Sequence, residues 1–70
     1  SMLTREIRIG RASAKVYRLR GVERMGRQDP CAAEMDFRSS FALAMSELER
    51  AQARELGLEA LHACSDTKAQ

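Results

Sequence analysis

The sequence predicts an α+β fold: an N-terminal basic β-hairpin, one long amphipathic α-helix and a short C-terminal helix, paired as a homodimer through the long helix. Three observations predict it. Charged and apolar residues alternate with period two in Arg5–Ile9 and again in Lys15–Arg20, as in strands covered on one face. From Phe37 to Ala51 apolar residues instead recur at steps of three and four, the period of a helix face. Finally, 70 residues with only eighteen apolar side chains larger than Ala or Cys make a core too small to stand alone, which calls for a second copy.

The chain reads as a single domain over 1–70, with a basic hairpin and connector over 1–28. Ile7, Ile9, Tyr17 and Leu19 supply the covered face of the hairpin, and the arginines stand on the other face or at its rim. The residues from Gly21 to Gln28 form a connector in which two glycines break regular structure. A second period competes here. Ile9, Ala12, Val16 and Leu19 also follow steps of three and four, which would make 11–25 a helix after one short strand.

The long helix occupies 29–57. Asp29 is a good N-cap, Pro30 suits the N1 position, and Gly57 sits where a left-handed residue would close the helix. Phe37, Phe41, Ala44, Leu48 and Ala51 form its predicted dimer interface. The alternation in Glu34–Arg38 leaves open a third strand there, with the helix starting near residue 40. Leu58 and Leu61 turn inward from a short helix over 58–64, and 65–70 is a frayed tail.

Ser1 before Met2 reads as a residue left by tag removal. There is no signal peptide pattern, and the longest apolar run, Phe41–Met45, is far too short to cross a bilayer. Two cysteines without dense spacing fit a reducing compartment, so a cytoplasmic location and no membrane partner are expected.

Charge is unevenly divided. Residues 1–28 carry eight Lys or Arg against two acids, a net +6, whereas 29–70 carry four against eight, a net −4. Such polarity serves a nucleic-acid backbone, an acidic protein surface or pairing between the two halves. Arg8, Arg18 and Arg20, with exposed Leu43, are the predicted partner-binding residues.

Catalytic, metal and cofactor chemistry finds no motif. Glycine-rich phosphate loops, Gly-x-Ser-x-Gly elbows and paired zinc ligands are missing, so no catalytic residue, metal site or cofactor is assigned. Cys31 lies in a first helical turn, where the dipole lowers a thiol pKa, but no His or second Cys is near in sequence. It reads as a small half-buried apolar residue. His62 and Cys64 lack the paired spacing of metal ligands.

Thr4–Ile9 as a basic strand, Tyr17–Met25 within a first helix, Gly26 at a turn and Pro30 onward as a second helix together resemble the ribbon-helix-helix DNA-binding proteins. The resemblance implies dimerisation by strand pairing and DNA binding by the basic strand. The chain departs from that pattern in its turn, which lacks Ser-rich capping, and in its longer second helix. The first expectation is therefore a small non-catalytic protein-binding modulator. By analogy of size and composition, with no residue motif behind it, it is expected to be a phage or mobile-element protein that inhibits a host transcription factor or ATPase. A DNA-binding regulator of ribbon-helix-helix-like architecture is the alternative.

Overall fold

Four helices, α1 (Met2–Arg8), α2 (Ala14–Gly26), α3 (Pro30–Leu43) and α4 (Glu47–Ala69), follow one another in a computed structural model that describes residues 1–69, the last by its backbone alone. All regular structure among the described residues is helical, so the predicted α+β class is corrected to all-α. The hairpin is absent: Arg5–Ile9 lies in α1 and at its end, and Lys15–Arg20 lies inside α2.

Capping accounts for the difference. Ser13 Oγ accepts from the Val16 amide at 3.1 Å and starts α2, as Ser1 Oγ accepts from the Thr4 amide at 3.3 Å to start α1. Both helices close on a left-handed residue. Gly10, at φ +81°, lets the amides of Gly10 and Arg11 reach back to the carbonyls of Ile7 and Glu6. Gln28, at φ 60°, does the same for the amides of Gln28 and Asp29 toward Met25 and Arg24. The competing helical period over 11–25 thus lies close to α2, without the strand expected before it.

Asp29 and Pro30 start α3, with Asp29 Oδ1 accepting from the Ala32 amide. The helix does not reach Gly57. It stops at Leu43, and Ala44–Ser46 turns the chain back on itself. Ser46 Oγ accepts from the Glu49 amide and Glu49 Oε1 accepts from the Met45 amide, each at 3.1 Å, a reciprocal cap that starts a new helix. α4 then runs through Gly57 to Ala69, so the separate short helix over 58–64 and the tail from residue 65 are corrected as well. Gln70, the end of that tail, lies outside the described residues. The possible third strand at 34–38 is helical and belongs to α3.

α3 is the central element. It packs along α2 on one flank and α4 on the other, while α2 and α4 meet only briefly and α1 rests on α2. The result is a shallow molecule, 36 × 27 × 14 Å along its principal axes. Its interior is made of small side chains, Ala14, Ala33, Ala53 and Ala60, and Phe37 is the one large apolar side chain fully buried among the described residues.

Cys31, near the start of α3, and Cys64, near the end of α4, form a disulfide with Cα atoms 4.7 Å apart. The bridge clamps the end of the α3–α4 pair opposite the Ala44–Ser46 turn. The reading of both cysteines as unpaired is thereby corrected: 33 positions separate them in sequence, and only antiparallel helix pairing brings them together. No helix among the described residues is long and apolar enough to cross a membrane.

Candidate functional site

Three arrangements emerge from this packing: a buried ionic clamp, an apolar groove and a cationic flank. The clamp comes first because it removes candidates from the other two. Asp36 projects from α3 toward α2 and is almost fully buried. Arg20 Nε donates to Asp36 Oδ2 at 3.0 Å and Arg20 Nη2 to Oδ1 at 2.7 Å, a bidentate pair, and Arg24 Nη1 lies 3.3 Å from Oδ2. The Arg20 guanidinium also sits 5.7 Å from the centre of the Tyr17 ring. Hydrogen bonding to Asp36 raises the Arg20 pKa above its ordinary value, against the opposing effect of desolvation. Beside it, Ser40 Oγ donates to the Ala14 carbonyl at 2.7 Å.

Arg20 is therefore a fastening between α2 and α3, and its place among the partner-binding residues is withdrawn. Sequence reasoning missed Asp36 and Arg24 altogether. The available signal was an acid at position 36 within the otherwise apolar and small-residue face of Ala33, Phe37 and Ser40.

The groove runs between α3 and α4, with a volume of about 300 Å³. Phe37, Ala53 and Gly57 form its floor, and Phe41, Leu58 and Leu61 its apolar walls. Leu58 and Leu61 are thus not turned inward as predicted: they are 52% and 40% exposed. Arg38 and Arg54 are exposed beside the groove, whereas the Glu34 side chain, which also lines it, is largely buried, with Oε2 lacking a hydrogen-bond partner among the described residues. Arg38 Nε lies 2.6 Å from Glu34 Oε2, an ion pair whose N–H does not align with the oxygen, and Arg54 has no ion-pair partner among the described residues. A smaller cleft of about 160 Å³ opens between α2 and α4 over Phe37.

The predicted dimer residues are scattered by the break at Ala44–Ser46. Phe37 is buried among the three helices, Phe41 is exposed in the groove, and Ala44 is half-buried at the end of α3. Leu48 and Ala51 belong to α4, the first exposed and the second half-buried. No single face carries all five. Leu43, the last residue of α3, is exposed.

The flank consists of α1 and the first half of α2. Within residues 1–28 the arginines at 20, 24 and 27 are held by Asp36 or Glu23. Arg5, Arg8, Arg11, Lys15 and Arg18 form no ion pair among the described residues, and all but half-buried Arg18 are exposed. Arg8 and Arg18 thus keep the free guanidinium that their predicted role requires, now on helices.

The described residues contain no cluster of three or more His, Cys, Asp or Glu able to hold a metal ion, and Cys31 is in a disulfide. No known protein family matches the chain, and neither a curated protein nor a solved structure is detectably similar to it.

Proposed function

We propose that the chain is a small non-catalytic modulator that binds an acidic surface of another protein through its α1–α2 flank. The observation that supports this reading is the division of labour among the cations: three arginines of residues 1–28 are held in internal ion pairs, while Arg5, Arg8, Arg11, Lys15 and Arg18 have none among the described residues. Guanidinium groups without an internal partner suit bidentate recognition of carboxylates. A host regulator or ATPase is the class of target that the size and composition of a phage or mobile-element protein bring to mind.

Nucleic acid is less well served. The ribbon on which the DNA-binding alternative rested is helical, and α3, the counterpart of a second helix, is flanked on both sides by packed neighbours. Acidic residues along α4 would also meet a phosphate backbone unfavourably. The disulfide bears on location: an oxidising compartment keeps such a pair closed, whereas a cytoplasmic setting would expose it to reduction.

The test is affinity capture from lysate, with and without nuclease treatment, using wild type and an Arg8→Glu/Arg18→Glu variant, both folded by circular dichroism. A protein retained by wild type and reduced about tenfold, equivalent to ~1.4 kcal/mol, in the variant supports the flank. Equal retention by both sinks it. Retention that vanishes on nuclease treatment and falls steeply with salt would transfer the flank to nucleic acid.

A further inference from the structure

We infer that the Cys31–Cys64 bridge is a redox latch: reduction by a dithiol frees α4 beyond Gly57 while α2 and α3 stay paired. The released segment belongs to α4 and the partner-binding flank to α1 and α2, so this goes beyond the proposed function and does not depend on it.

The two helix pairs are fastened unequally. Between α2 and α3 stand the bidentate Arg20–Asp36 pair, the Arg24–Asp36 pair and the hydrogen bond that Ser40 Oγ donates to the Ala14 carbonyl. Between α3 and α4 there is no ion pair among the described residues. The one side-chain polar approach there, Cys31 Sγ to the Cys64 carbonyl at 3.9 Å, is made by a sulfur of the bridge itself, which has no proton to donate. Apart from apolar contact, the bridge alone fastens this pair.

That apolar contact is thin. The buried side chains of α4 among the described residues are Ala53, Ala60 and Cys64, seven and four positions apart and so on one helix face. Beyond Gly57 the buried ones are Ala60 and Cys64, while the larger Leu58 and Leu61 stand exposed. A single buried Ala removes too little apolar area from water to hold two helical turns in order. Gly57 weakens the helix at the point where the released segment begins, since glycine disfavours a helix interior relative to alanine. The bridge lies at the end opposite the Ala44–Ser46 turn, so while it is closed 58–64 is tied to α3 at its far end.

Cys31 is half-buried and Cys64 buried, so the reductant enters at Cys31. A thiolate of the dithiol attacks Cys31 Sγ, the Cys31–Cys64 bond breaks, and Cys64 leaves as a thiolate that takes up a proton. The second thiol of the reductant then displaces Cys31, which is protonated in turn, and the reductant keeps the new disulfide. Two electrons and two protons have passed to the pair. The α4 wall of the groove, Leu58 and Leu61, is therefore in place in the oxidised protein and lost from the reduced one.

Hydrogen exchange read by mass spectrometry on the full chain, before and after treatment with dithiothreitol, tests this. In the oxidised protein the amides of 58–64 and 33–42 should be protected to within about tenfold of each other, and after reduction 58–64 should exchange about a hundredfold faster than 33–42. Cys31→Ser/Cys64→Ser should show the reduced pattern with or without the dithiol; if that variant loses its helical circular dichroism, the reduced wild type decides alone. Protection that stays equal in the two segments after reduction, whether both hold or both fail together, overturns the inference. The bridge then braces the whole fold or none of it. Alkylation of two thiols in the air-oxidised protein, read as added mass, overturns it as well, because no bridge then exists to be reduced.

Discussion

Phe37 touches a glycine on either side, and the two contacts differ in kind. A Cβ built on Gly21 of α2 would lie 2.5 Å from Phe37 Cε1, inside any tolerable contact, whereas one on Gly57 of α4 would lie 3.5 Å from Phe37 Cβ, an ordinary van der Waals distance. The ring is buried and has nowhere to withdraw. Gly21→Ala should therefore destabilise the protein by about 1–3 kcal/mol through overpacking, despite the gain in helix propensity. Gly57→Ala should stabilise it by about 0.5–1 kcal/mol, because the propensity gain meets no clash. Urea midpoints of the two variants should move in opposite directions, and a shift of both to higher urea would mean that α2 is free to slide away from α3. The same residue-scale logic separates Arg20 from Arg8: a guanidinium bidentate to buried Asp36 belongs to the interior, and one without an ion pair is available to a partner.

Each element was legible in proportion to how far its signal was carried by its own ends. The start of α3 was plain in Asp29-Pro30, since both residues act locally on the first turn. The turn at Ala44–Ser46 was equally written in the chain, as Ser46-x-x-Glu49, but the apolar period continued across it from Phe41 to Leu48 and concealed the reversal. α2 was harder for a physical reason. Its buried positions are Ala14 and Gly21, so the face that packs on α3 carries almost no hydrophobicity, and the larger Leu19 and Val22 lie exposed on other positions. Gly21 and Gly26 were read as breaks in a connector, and Gly26 in the alternative as a turn, yet both are helical and Gln28 takes the left-handed position. The groove was out of reach because Leu58 and Leu61 line it only after α4 has folded back along α3. That antiparallel pair is held at one end by its turn and at the other by Cys31–Cys64. Closing a loop across 33 positions removes enough freedom from the unfolded chain to stabilise the fold by about 3–4 kcal/mol. A Cys31→Ser/Cys64→Ser variant should lose about that much in urea unfolding. Equal midpoints would show that helix packing alone holds the open end.

For the whole molecule the governing quantity is how little is buried. Eleven of the eighteen larger apolar side chains are exposed, and Phe37 alone among them is fully enclosed. Ala, Gly and Ser let α2 and α4 approach α3 closely, but close approach of small residues removes little apolar area from water per residue. The Asp36 clamp and the disulfide then fix which helices meet without adding to that area. Stability that rests on so thin an interior leans on the clamp. Asp36→Ala leaves the Arg20 guanidinium facing no carboxylate at a largely buried position, and should lower stability by about 3 kcal/mol in urea unfolding. A midpoint equal to that of wild type would mean that the close packing of Ala14 and Gly21 holds α2 on α3 without an ionic fastening.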